Sequence, residues 1–263
     1  MASRGIVFLM YHELELPGRA LCQFEPGYVR YILLQDSFRE QMNWLRKNSW
    51  RGLSVGEALD NPPGNSVAIT FDDGSETDLL AAAPILKENG FTATFYVTTG
   101  FIGKPGYMSP DQLRELSSLG FEIGCHSMTH PYLNELDPAG LQYQIVEARD
   151  RLQQICGAPV RHFSCPGGRY SELVISTARQ AGYSSFATSD RHVNLSSTDH
   201  FRLGRVAVLR DTKTSSFQKI CQGQGLWKMQ LSDSGRALAK TLLGNSGYDR
   251  LRALLLGDRF PDT

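Results

Sequence analysis

From about residue 50 onward, short apolar runs bounded by turn residues alternate with longer segments in which apolar positions recur at helical spacing. Ser66–Phe71 is β-branched and aromatic, lies between a Pro/Gly/Asn-rich stretch and Asp-Asp-Gly, and reads as a buried strand. Further strands are predicted near residues 93–97, 121–124, 163–165, 184–188 and 203–208, and an N-terminal one over 8–12. Helical patterns fall at residues 38–46, 79–89, 110–118, 139–155 and 171–181, the last closed by Gly182. With no internal repeat or low-complexity linker, this βα alternation predicts an α/β fold with a parallel sheet or distorted barrel. Beyond Asp211, leucines recur at helical spacing over 236–243 and 248–256 with basic residues between them. These suit helices packed on the domain's own surface or touching a membrane periphery. Residues 1–210 are therefore expected to form one domain and 211–263 a helical extension on it.

Composition narrows the class. A chain of 263 residues suits a single closed α/β barrel. Its 27 basic and 27 acidic residues cancel, so nothing electrostatic recruits nucleic acid or an anionic surface. Cys22, Cys125, Cys156, Cys165 and Cys221 are odd in number and lack Cys-x-x-Cys spacing, which suits reduced, packed thiols. The apolar N-terminal run is too short for a signal-peptide core and no stretch is long enough to cross a bilayer, so a cytoplasmic location is expected.

The chemistry concentrates in two segments. Asp72 and Asp73 follow the strand Ser66–Phe71, at the end where parallel α/β folds collect catalytic groups. Adjacent carboxylates repel, and a cation on one of them relieves this, which favours a metal ligand beside a base. His126 and His130, with the three residues Ser127-Met128-Thr129 between them, can face one ion from a compact loop, and Pro131 argues against a continuing helix. Two His and one Asp leave coordination positions open, as a catalytic site requires. Asp-Asp-Gly is also ordinary turn chemistry, and a His-x-x-x-His pair also occurs as satisfied polar packing.

At these residues the chain resembles the polysaccharide deacetylases, the carbohydrate esterase family 4 or NodB-homology domain, over residues 7–208. Thr70-Phe71-Asp72-Asp73-Gly74 is similar to that family's first motif and His126-Ser127-Met128-Thr129-His130 to its second. Residues 93–97 and 108–113 resemble the strand and helix between them, and 163–168 a variant third motif. The resemblance implies a distorted (β/α) barrel of the glycoside hydrolase/deacetylase type. It implies a hydrolase that removes the N-acetyl group of an N-acetylated amino sugar, in an oligo- or polysaccharide or a lipid-linked precursor. Asp72 would be the base activating metal-bound water, and Asp73, His126 and His130 would hold a divalent metal, by default zinc, with cobalt, nickel or iron also accepted by such a donor set. The oxyanion would meet the loop at Pro166 and Gly167.

Two departures matter. Ser164 stands where the family usually has an arginine that orients the base, which leaves Arg169 or Arg205 to reach Asp72. The family's late leucine-x-histidine motif, its source of the general acid, has no C-terminal match. His12, closing the N-terminal strand as in the circularly permuted branch, is the candidate acid, and Asp190 is a candidate carboxylate tuning a histidine. The same residues leave open a deformylase acting on a lipid-linked amino sugar, or a carbohydrate-binding module without turnover.

Overall fold

A computed structural model describes residues 5–60, 62 and 64–226. Ten strands are present among them: β1 (Val7–Tyr11), β2 (Leu14–Glu15), β3 (Leu33–Leu34), β4 (Arg51–Leu53), β5 (Ser66–Phe71), β6 (Thr94–Val97), β7 (Glu122–Cys125), β8 (His162–Ser164), β9 (Ser185–Ala187) and β10 (Val206–Ala207). Eight of them form one sheet, in the order β10-β1-β5-β6-β7-β8-β9, and β4 pairs with the first half of β5. Every pairing in it is parallel. The sheet curls on itself: Leu203 bridges to Ala187 in β9, and three residues later Val206 pairs with Leu9 in β1. One short segment thus spans both sheet edges, giving the distorted barrel that the βα alternation predicts.

Alternation along the strands divides the apolar residues between two layers. Tyr11, Phe71 and Phe95 stand in register on adjacent strands, with stacked rings 5.2 and 5.0 Å apart. They face outward, where Phe38 of the helix Gln35–Lys47 meets Phe71 edge-on. The opposite face lines the barrel with Phe8, Ala68, Tyr96, Ala187 and Leu203. Gly124 makes room for Tyr96, since a Cβ there would sit 2.4 Å from the ring. Position 70 shares the parity of Ala68, so Thr70 points into the barrel, and Asp72, one step further, continues that side at its mouth.

The helices at 110–118 and 172–180 begin where serine caps occur: Ser109 accepts from Gln112 N, and Ser171 from Val174 N. The predicted helix over 79–89 is a π-helical turn, Asp78–Ala82, running into Ala83–Asn89. The one over 139–155 is likewise interrupted by a π-helical stretch, Gln142–Glu147. The leucine-rich segments at 236–243 and 248–256 lie outside the described residues.

Candidate active site

Every residue singled out for chemistry sits at or just past the C-terminal end of a parallel strand, or on the segment that closes the sheet. His12 follows β1, Asp72 and Asp73 follow β5, His126 follows β7, Ser164 ends β8, and Arg205 precedes β10. The ladder hydrogen bonds continue past the strands and fix these positions: Asp72 N donates to Tyr11 O at 3.0 Å and His126 N to Val97 O at 2.9 Å.

Asp73, His126 and His130 offer one ligand atom each within 4.8 Å of one another. Asp73 Oδ1 lies 3.6 Å from His126 Nε2 and 3.5 Å from His130 Nε2. Two donors each about 2.1 Å from a tetrahedral ion stand roughly 3.4 Å apart, so the spacing suits a shared cation. Among the described residues Asp73 Oδ1 is buried without a hydrogen-bond partner, a state that a cation would relieve. His126 Nδ1 lies 2.9 Å from Ser164 O, an acceptor, so Nδ1 carries the proton and Nε2 presents its lone pair to Asp73. Burial, foremost, lowers the His126 pKa to about 4 against the pull of Asp72, which keeps the ring neutral at physiological pH. His130 is more open to solvent and leaves the site an accessible side.

The backbone around these groups is held in an unfavourable region. Asp73 (φ 78°), Ser127 (φ 67°) and His130 (φ 63°) are all left-handed and none is glycine. Hydrogen bonds compensate in the histidine loop: Ser127 Oγ accepts from His130 N, and Gln144 Oε1 accepts from both Met128 N and Thr129 N. Gln144 was not singled out in the sequence; its glutamine inside a helical pattern is the sole trace.

Asp72 is gripped from behind. Arg205 donates from Nη1 and Nη2 to the two carboxylate oxygens at 2.7 and 2.8 Å, and from Nη2 to Ser164 Oγ at 2.7 Å. Arg205 is itself fixed by Nε donating to Thr188 O, and both partners are buried. Burial alone would raise the Asp72 pKa, but the Arg205 guanidinium and His126 outweigh it and hold the carboxyl well below the usual range. Arg169, the other arginine considered for this place, lies 3.7 Å over the Tyr132 ring. Asp190 Oδ2 accepts from Tyr170 Oη at 2.7 Å, and its backbone carbonyl accepts from Arg205 N at 2.9 Å, so its carboxylate is engaged by a tyrosine.

His12 stands among the same charges. Burial, the largest influence, lowers its pKa, while Asp73 and Asp72 pull it upward. Its Nδ1 is buried with no partner among the described residues, and its ring lies 4.8 Å from Tyr31 and 6.4 Å from Tyr28. Pro166 and Gly167 form a tight turn directly after β8, with Gly167 at φ 60°. Cys125 and Cys165 are packed beside the site, and burial pushes the Cys125 thiol up to about 11, which leaves it protonated.

The family model for polysaccharide deacetylase matches residues 60–186, the stretch that carries both aspartates and both histidines. Over that stretch the chain is similar to the polysaccharide deacetylase family. Among curated members, the chitooligosaccharide deacetylase of Azorhizobium caulinodans is 34% identical over 120 residues, 45% of this chain and 55% of that protein. YxkH of Bacillus subtilis is 28% identical over 189 residues, 70% of this chain and 68% of that protein. The chain thus spans about half to two thirds of the length of these deacetylase-family relatives. The Streptococcus pyogenes deacetylase PplD superposes with a TM-score of 0.73 over 84% of this chain and 99% of its own, at 22% identity, and so shares the fold. No helix among the described residues is long and apolar enough to cross a membrane.

Proposed function

We propose that this protein is a metal-dependent hydrolase that removes the N-acetyl group from an N-acetylated amino sugar. The observation that carries the reading is Asp73 Oδ1, buried without a partner and facing Nε2 of both His126 and His130, beside a second aspartate held by an arginine. The names of the chitooligosaccharide and peptidoglycan deacetylases it resembles support an N-acetylated saccharide. Asp73, His126 and His130 would hold a divalent cation, by default zinc, which would acidify water and polarise the amide carbonyl. Asp72 accepts the proton of the attacking water while Arg205 fixes its orientation. The loop at Pro166 and Gly167 faces the developing oxyanion. His12 passes that proton on to the leaving nitrogen as the C–N bond breaks, so acetate and a free amine result.

A second assignment of the proton acceptor rests on one observation. Asp72 has both oxygens engaged by Arg205 and is a weak base, whereas His12 is neutral with a buried, unpartnered Nδ1. On that assignment His12 takes the first proton and returns it to nitrogen, and Asp72 acts as a fixed charge. The pH dependence of kcat/KM separates the two. An acidic limb in the histidine range that disappears in His12→Gln supports His12, and one confined to the carboxylate range supports Asp72.

The reading as a whole is tested by acetate release from N-acetylglucosamine oligomers. Activity is expected to vanish with a chelator, to return with added zinc and to be absent in Asp73→Ala. Release untouched by both chelator and Asp73→Ala would overturn it.

A further inference from the structure

Asp73 Oδ1, His12 Nδ1 and Tyr28 Oη are among the buried polar atoms that have no hydrogen-bond partner among the described residues. The proposed reaction uses the first two. Tyr28 lies on the short helix Pro26–Val29, with its ring edge-on to His12 at 6.4 Å. A phenol O–H taken out of water without an acceptor is unfavourable, and such a group is retained where the acceptor arrives with a ligand.

We infer that Tyr28 contacts the substrate, its phenol O–H donating a hydrogen bond to the carbonyl oxygen of the amide being hydrolysed. The inference rests on the deacetylase reading above. Burial, foremost, and then the charges of Asp73 and Glu13 push the phenol well above its ordinary pKa, so the group stays protonated and serves as a donor. The nearby carboxylates are committed elsewhere. Asp73 Oδ1 faces the two imidazoles, and Glu13 accepts from Arg19 Nη1 and from Cys22 N. Among the described residues no acceptor for Tyr28 is in place, and a bound ligand can supply one. Among the groups of an N-acetylated sugar, the amide carbonyl is the strongest neutral acceptor, and it is the one that must lie beside Asp73 for the reaction to occur. Its oxygen gains negative charge as the attacking oxygen bonds to carbon, so the hydrogen bond strengthens on the way to the transition state.

Tyr28→Phe keeps the ring and its edge contact with His12 while removing the donor. With zinc-loaded protein and tri-N-acetylchitotriose, kcat is expected to fall at least about tenfold while KM stays within about threefold and zinc affinity is unchanged. In zinc-loaded Asp72→Asn protein holding the same saccharide with an isotope-labelled acetyl carbonyl, adding Tyr28→Phe should raise the carbonyl stretching frequency. An unchanged kcat with an unchanged stretch overturns the inference and leaves the deacetylase reading standing. A rise in KM alone, or a loss of zinc affinity, also overturns it, because the phenol would then grip a sugar hydroxyl or merely support the site. Failure of the unmodified zinc-loaded protein to release acetate overturns both.

Discussion

Arg205 and Ser164 form a coupled pair around Asp72. By the resemblance to the deacetylases, Ser164 is expected to stand in the place of an arginine; the guanidinium that bonds both Asp72 oxygens arrives from the segment before β10. Ser164 Oγ lies 3.4 Å from Asp72 Oδ2 and accepts from Arg205 Nη2 at 2.7 Å, so the small side chain leaves the space that Arg205 fills. Breaking this buried pair leaves Asp72 as an uncompensated charge. Arg205→Met is therefore expected to cost about 3–5 kcal/mol, read from urea denaturation, and to abolish turnover. Restoring an arginine on the other side tests the replacement directly. Ser164→Arg in an Arg205→Ala background should recover part of both stability and acetate release, whereas Ser164→Arg alone overfills the site and destabilises. No recovery in the double variant would mean that the direction of approach matters as well as the charge.

At the scale of elements, the loops after β6 and β7 set the position of His130. Gly100 N donates to Met128 O at 2.8 Å, and a Cβ on Gly100 would stand 2.5 Å from that same oxygen. The rigid neighbour is backbone, so Gly100→Ala must displace the loop that bears His130. We expect zinc affinity to fall about tenfold or more with little change in the far-ultraviolet spectrum, measured by competition with a chromophoric chelator; unchanged affinity would show that the loop absorbs the methyl group. Such contacts also show where sequence reading stops. Strands rich in β-branched and aromatic residues were legible, as was the helix Pro110–Ser118, which begins at a Ser-Pro cap and coincides with its predicted span. The strand β4 was not, because Arg51-Gly52-Leu53 carries no period and is defined only by pairing with β5. The residues facing one another in the Asp73–His126–His130 cluster were legible from motif and strand-end position. Gln144, which holds two amides of the histidine loop, was hidden because its partners lie 15 and 16 residues away across a fold. Arg205 stood only as one of two arginines for its place, since 133 residues separate it from Asp72.

For the molecule as a whole, burying a neutral imidazole and an ionised carboxylate at one mouth of the barrel couples stability to pH. The unfolded chain protonates His126 near 6.5, while the folded protein resists until about 4. Between those values the unfolded state binds more protons, so stability is complete above pH 6.5 and is lost as the pH falls toward 4. Since each pH unit in that interval contributes up to about 1.4 kcal/mol, the loss totals about 3 kcal/mol. The Asp72 carboxyl, held below its ordinary value of 3.8, adds a further loss of the same sign at still lower pH. Chelator-treated protein, followed by thermal unfolding across this range, should show that slope, and His126→Gln should flatten its upper part whatever its absolute stability. On the proposed function, zinc should reverse the balance by binding the folded form: at a hundredfold excess over its dissociation constant it would add about 2.7 kcal/mol. Protons compete for the same nitrogens, so the zinc-dependent rise in Tm should shrink as the pH falls and be absent in His126→Gln. A zinc-induced rise that survives that substitution at neutral pH would place the stabilising cation elsewhere on the molecule.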